Sequence, residues 1–229
     1  MIFVTGDTHG CTDFAKLLWL VHVYPNLTKN DYVIIAGDFG AVWDKDTLEE
    51  DLKPYSDLPF TVLFVDGNHE NFELLNAYPI EMWNGGKVHK IKPDIIHLMR
   101  GQVFEMDGKT FFTFGGATSI DKDIRLAFGY GWWEQERPTF TELDEGMANL
   151  KRYSNKVDYI ITHACGERAL MYPPLRTRSS KMQAFPENQL LSNFEDTVEY
   201  THWYFGHYHL DGDLNDKMTV LYQEFRKLE

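Results

Sequence analysis

The sequence predicts an α/β protein of the α+β kind, and three observations lead there. Strand-like and helix-like segments alternate through the first third of the chain. Short strand-like runs then follow one another from Lys87 to Gly116, before helix and strand signals alternate again towards the C-terminus. The first three strand-like runs each end in glycine followed by aspartate or asparagine, the position at which an α/β sheet presents its loops to a ligand.

In order along the chain, "MIFVT" is a short apolar run. "TDFAKLLWLVHVY" carries apolar residues at helical spacing behind Thr12, the expected N-cap. "DYVIIAGD" is the second strand, and "TVLFVDGNH" is the third, punctuated by Pro59. The intervals from Asp7 to Asp38 (31 positions) and from Asp38 to Asn68 (30 positions) match one βαβ unit each, which puts three polar motifs on one sheet edge. "KVHKI", "IIHLM", "QVFEM" and "TFFTFGG", separated by Pro93, Gly101 and "DGK", read as an antiparallel meander in a second sheet. Residues 117–138 read as an irregular insertion too rich in aromatic and charged residues to be a plain linker. A helix is expected near Thr139 to Tyr153, then the strand "VDYIITH", a helix around Asn188 to Tyr200, the strand "HWYFGH" and a final strand "KMTVLYQEF".

A chain of 229 residues can bury one large core, and residues 1–229 are read as one domain. The formal charge of −13 disfavours generic binding to nucleic acid or to an anionic membrane, because the summed field repels phosphate; a phosphate-bearing substrate then has to be drawn in locally, which bound cations would do. No apolar run reaches the roughly 18 to 20 residues of a membrane span. "MIFVTGD" lacks the charged start and long apolar middle of a signal peptide, so a cytoplasmic location is expected. Cys11 and Cys165 form no CxxC pair and are read as small reduced residues.

The polar motifs, in order, are GDTHG (6–10), GD (37–38), GNHE (67–70), TH (162–163) and GHYH (206–209). Imidazole, carboxylate and amide oxygen without thiolate make a donor set suited to Mn²⁺, Fe, Zn²⁺, Co²⁺ or Ni²⁺. One carboxylate bridging two ions is the common arrangement of such a site, and Asp38 is the candidate. Five ordered motifs, all after strands, resemble the calcineurin-like metallophosphoesterase superfamily, whose pattern is DxH, GD, GNH[DE], H and GHxH. The resemblance implies a four-layer αββα sandwich with two mixed sheets flanked by helices. It implies two divalent metal ions, Mn²⁺ being favoured in vitro, one held by Asp7, His9, Asp38 and His209 and the other by Asp38, Asn68, His163 and His207. Alternation along GHYH is expected to put both of its histidines on one side of an extended segment. His69 is implied not as a ligand but as the catalytic residue facing the scissile phosphate, stabilising charge or protonating the leaving oxygen. A solvent shared by the two cations, acidified to hydroxide near neutral pH, is the implied nucleophile.

GDxHG and GNHE also resemble the Ser/Thr protein phosphatase branch, but the second motif here is "GDFGAVWD" rather than GDxxDRG. That removes the phosphate-gripping arginine and the aspartate partner of the catalytic histidine; Asp44 is a candidate to replace the latter. The reading is therefore a phosphodiester or nucleotide-type esterase acting on a small phosphoester. A phosphoprotein phosphatase or other phosphomonoesterase is the alternative, and a non-catalytic scaffold is third. Arg125, Trp132 and Trp133 are the candidates for gripping phosphate and stacking on a base. Arg168, Arg176, Arg178 and Lys181 are read as a basic rim after His163.

Overall fold

The computed structural model describes residues 1–178 and 184–229. Its layers follow from strands that are apolar on both faces, the composition of a sheet covered on both sides. In β1 (Ile2–Thr5), β2 (Tyr32–Ala36) and β3 (Thr61–Val65), alternate residues serve two different cores. Phe3, Val33, Ile35, Val62 and Phe64 pack with Leu17 and Leu20 of α1 (Ala15–Val23) and with Leu52 and Tyr55 of α2 (Leu48–Ser56). Val4, Ile34, Ala36, Leu63 and Val65 belong instead to the core shared with Phe104, Phe111, Tyr159 and Ile161 of a second sheet. That second sheet buries Phe112, Phe114, Ile160 and Trp203 on its far face, against Leu143 and Leu150 of α5 (Phe140–Arg152) and Leu190, Leu191 and Phe194 of α7 (Pro186–Thr197). The result is helix, sheet, sheet, helix, as the resemblance implied. Each fully buried Leu or Phe in these layers stabilises the fold by about 1.5 to 3 kcal/mol.

The first sheet runs β13-β1-β2-β3-β6-β5-β4 and the second β11-β12-β10-β9-β8-β7. The remaining strands are β4 (Ile80–Trp83), β5 (Gly86–Lys92), β6 (Ile95–Leu98), β7 (Gln102–Met106), β8 (Lys109–Phe114), β9 (Lys156–Thr162), β10 (Glu199–Phe205), β11 (Gly212–Asn215), β12 (Met218–Val220) and β13 (Phe225–Leu228). In the first sheet β1, β2, β3 and β6 are mutually parallel neighbours, while in the second β8, β9, β10 and β12 are. Antiparallel strands close the edges, so both sheets are mixed.

Four expectations from sequence are corrected. The stretch from Lys87 to Gly116 is not one meander: β5 and β6 finish the first sheet, and β7 and β8 begin the second. Strand β3, buried on both faces, takes its second ladder from β6, and β9 takes one from β8, so demand for partners by the central strands overrides pairing with the nearest neighbour. "KMTVLYQEF" is two strands, β12 in the second sheet and β13 in the first. The backbone N–H groups of Tyr222, Gln223 and Glu224 all donate to the Asp211 carboxylate, at 2.7, 3.0 and 2.9 Å, which stops the ladder and turns the chain across. Thr12 does not cap α1, which begins at Ala15 without a side-chain cap. The insertion at 117–138 contains α4 (Lys122–Phe128) and a 3₁₀ turn at Glu134–Glu136. The helices α2, α3 (Phe72–Leu75) and α6 (Leu175–Arg178) and the edge strands β4 and β11 were not anticipated; α2 carries Pro54 within it, a residue that reads as a breaker. Among the described residues, no helix is long and apolar enough to cross a membrane.

Candidate metal centre

The five motifs lie just beyond the C-terminal ends of β1, β2, β3, β9 and β10, where the parallel strands of the two sheets approach one another. Two groups of donor atoms form there, each within 4.8 Å: Asp7, His9, Asp38 and His209, and Asp38, His163 and His207. Asp38 belongs to both. Asn68 adjoins the second group, its Oδ1 lying 3.1 Å from His163 Nε2. His69 stands apart from either group, its backbone N–H donating to Asp38 Oδ1 at 2.7 Å and its ring centroid 5.3 Å from that of His9.

The local backbone is unusual. Four of the eight non-glycine residues with positive φ, among the described residues, are candidate ligands: His9 (44°), Asp38 (48°), His207 (67°) and His209 (49°). Left-handed backbone is costly for residues with a Cβ and persists where the surroundings over-determine it. GHYH is therefore not extended as expected; β10 ends at Phe205, and the two histidines reach different groups through separate left-handed turns. Glycines admit the neighbouring side chains: a Cβ on Gly37 would lie 2.0 Å from the His163 ring, and one on Gly206 would lie 2.2 Å from Asp7 Oδ1.

The donors fit a cation. His163 Nδ1 lies 2.9 Å from the Ala36 carbonyl, which can only accept, so Nδ1 carries the hydrogen and the Nε2 lone pair of the neutral ring faces Asn68 Oδ1 and, at 3.3 Å, Asp38 Oδ1. His9 likewise meets Asp13 Oδ2 at 2.8 Å through Nδ1, leaving Nε2 directed to Asp38 Oδ2 at 3.4 Å. Asp7 Oδ2 is buried without a hydrogen bond. Electron-rich atoms converging in this way are reconciled by positive charge between them. With protein groups alone, protons serve: burial opposes it, but Asp38 pushes the His163 ring up to about 10 and the His9 ring up to about 9. Burial, reinforced by His163, pushes His207 down to about 4. Burial also lowers His69, opposed by Asp38 and assisted by Arg125.

Several supporting residues were not singled out from sequence. Asp13 orients His9 and accepts from Tyr222 Oη at 2.9 Å, with the Tyr222 ring stacked on His209 at 4.6 Å between centroids. Buried Lys16 donates to the carbonyls of Gly6, Asp7 and Tyr222 and so ties the first motif to the C-terminal segment. Glu70, the last letter of GNHE, accepts from the N–H groups of Phe39 and Gly40 at 2.8 and 3.2 Å and holds the turn that follows Asp38. The spacing of Asp13, four residues after His9, was the one signal available for it.

Arg125 is buried, at 3% exposure; its Nε donates to Gly131 O, and its Nη1 donates to Asn68 O and Ser119 Oγ, while Nη2 has no hydrogen bond. Trp132 has Lys122 Nζ 3.6 Å from its ring centroid, and Trp133 packs edge-on against Trp43 at 5.4 Å. Asp44 is exposed and accepts from the Asp46 N–H, with no hydrogen bond to His69. Arg168 pairs with Asp196, and Lys181 lies outside the described residues.

A sequence model of the calcineurin-like phosphoesterase family matches residues 1–211. No curated protein matches. Among solved structures, phosphopantetheinyl hydrolase from Mycobacterium tuberculosis aligns at 16% identity and a TM-score of 0.44, covering 96% of this chain and 87% of its own. A protein of unknown function from Aquifex aeolicus aligns at 15% identity and a TM-score of 0.37, covering 87% of each chain.

Proposed function

Given that the chain belongs to the calcineurin-like phosphoesterase family of metal-dependent phosphoester hydrolases, we propose that it is a binuclear enzyme acting on a small phosphodiester or nucleotide-type ester. The observation that carries this reading is the pair of donor groups sharing Asp38, with histidine lone pairs and carboxylate oxygens turned towards one another. Asp7, His9, Asp38 and His209 hold one ion and Asp38, Asn68, His163 and His207 the other. Mn²⁺, Fe, Zn²⁺, Co²⁺ and Ni²⁺ all suit these ligands. When bound, two such ions supply Lewis-acid charge for the phosphoryl oxygens and an acidified water for in-line attack.

The chain's own residues do the rest. Asp13 and the Ala36 carbonyl keep His9 and His163 in the tautomer that offers Nε2 to an ion. His69, outside both donor groups but anchored through its N–H to Asp38, is free to meet a phosphoryl or leaving-group oxygen. Arg125, which lies beside Asn68, is the first substrate-facing residue in this reading, with Trp132 and Trp133 of the same segment assigned to the substrate's base.

The monoesterase reading has one observation of its own. Arg125 brings a buried guanidinium beside Asn68 with Nη2 unpartnered, which is fixed positive charge suited to a doubly charged phosphate. Turnover of bis(p-nitrophenyl) phosphate and p-nitrophenyl phosphate with Mn²⁺ separates the two. For the diesterase, kcat/KM for the diester is at least comparable to that for the monoester. A strong monoester preference reverses the order, and no metal-dependent turnover of either ester moves the chain to the scaffold reading.

A further inference from the structure

Asparagine offers a cation its oxygen only if the amide is turned the right way, since its other end is a donor that repels the ion. In this chain a buried hydrogen-bond chain settles the matter. Ser119 Oγ lies 2.7 Å from Glu136 Oε2, and the Ser119 N–H donates to Glu136 Oε1 at 2.8 Å. A carboxylate only accepts, so the single hydroxyl proton of Ser119 goes to Glu136. The two remaining lone pairs of Oγ receive Arg125 Nη1 at 2.8 Å and Asn68 Nδ2 at 3.3 Å. With its proton committed, Ser119 can only accept from Asn68, which puts the amide nitrogen on the Ser119 side and Oδ1 towards His163. Arg125 Nη1 also holds the Asn68 carbonyl at 3.0 Å, fixing the peptide that carries the side chain. Asn68, Ser119, Arg125 and Glu136 are all buried, at 5, 6, 3 and 1% exposure, so water does not substitute for these partners.

We infer that Ser119, oriented by Glu136 and seconded by Arg125, is the positioning residue that sets the ligating direction of Asn68 and thereby the affinity of the ion shared with His163 and His207. Without the hydroxyl, the amide loses its acceptor on that side and is free to turn, and a turned NH₂ puts donor hydrogens where the ion would sit. This inference rests on Asn68 being a ligand, as proposed above, and it gives the 117–138 segment a task that aromatic content did not suggest.

The test is Mn²⁺ titration, with free ion followed by electron paramagnetic resonance, on wild type, Ser119→Ala, Ser119→Thr, Asn68→Ala, Asn68→Asp and the double variant that combines Ser119→Ala with Asn68→Asp. Ser119→Ala is expected to weaken one of two binding steps by about 10- to 100-fold, the usual range for loss of a residue orienting a ligand, with the other step unchanged. Ser119→Thr, which keeps the hydroxyl, restores it. A carboxylate presents oxygen whichever way it turns, so in the Asn68→Asp background Ser119→Ala produces no further loss, a non-additivity that general damage to the fold does not imitate. Equal losses on adding Ser119→Ala to wild type and to Asn68→Asp, or wild-type affinity in Ser119→Ala beside a weakened Asn68→Ala, overturn the inference while leaving Asn68 a ligand. Wild-type affinity at both steps in Asn68→Ala overturns the ligand reading itself.

Discussion

Asp38 carries more of the proposed chemistry than any other side chain. Its Oδ1 faces His163 and the His69 N–H, its Oδ2 faces His9, and its backbone is held left-handed at φ 48°. Because one carboxylate serves both donor groups, Asp38→Asn is expected to lower occupancy of both ions together and to remove activity; elemental analysis beside turnover checks this, and two tightly held ions in an active variant would refute the bridge. His69 belongs to neither group, so His69→Ala is expected to keep both ions and to lose about 10²- to 10⁴-fold in rate. A loss equal for good and poor leaving groups assigns His69 to charge stabilisation, whereas a larger loss for poor ones assigns it to proton donation. The donor residues at this scale were readable because each sits in a short motif. Asp13 left only its four-residue spacing from His9, and Lys16, Ser119 and Glu136 left no signal, because support reached through backbone carbonyls or a second side chain has no fixed spacing in the chain.

At the scale of elements, helices with local signals formed where expected. α5 starts at Thr139 with a reciprocal capping box to Glu142, the pattern its sequence announces. The passages between sheets had no such signal. Asp211 redirects the C-terminal segment through three N–H groups, allowing β13 to pair with β1 while Tyr222 reaches Asp13 and His209. Asp211→Ala is expected to destabilise the protein by about 1 kcal/mol in urea unfolding, since the part-buried Tyr222 N–H loses its acceptor while the exposed N–H groups of Gln223 and Glu224 turn to water. Asp211→Asn, which keeps one acceptor oxygen, should recover part of that loss, and wild-type stability in Asp211→Ala would show that β13 pairing alone turns the chain.

Across the whole molecule, a polar chain runs from the first sheet to α5 on the second. His89 Nδ1 lies 3.1 Å from His97 Nδ1, His97 Nε2 lies 3.1 Å from Asp66 Oδ1, and Arg100 reaches from Asp66, at 2.5 Å, to Glu142 of α5. Burial, with His97 adding to it against the pull of Asp66, pushes the His89 ring down to about 4 from its ordinary 6.5. A folded-state value below the unfolded one means that the unfolded chain takes up the proton first. The contribution of neutral His89 is complete above pH 6.5 and is lost as pH falls towards 4. At roughly 1.4 kcal/mol per pH unit this amounts to at most about 3.5 kcal/mol. The stability difference between wild type and His89→Gln, from urea unfolding at stepped pH, should shrink across that window; a difference independent of pH would mean that the ring is already charged or equally neutral in both states.

The sequence by itself determined the α/β class, the βαβ spacing of the first three motifs and the seven candidate ligands, six of which the fold brings into two groups with Asn68 beside the second. It could do so because strands, glycine turns and ligand motifs are local patterns, each written in a few consecutive residues. Only the tertiary structure decided that the run from Lys87 to Gly116 divides between two sheets, that the last run becomes two strands, and that GHYH parts its histidines through left-handed turns rather than along a strand. It also decided the tautomers of His9 and His163 and the direction of the Asn68 amide. Those outcomes depend on which distant strand still lacks a partner and which buried proton has an acceptor, and such demands arise only when segments far apart in the chain meet.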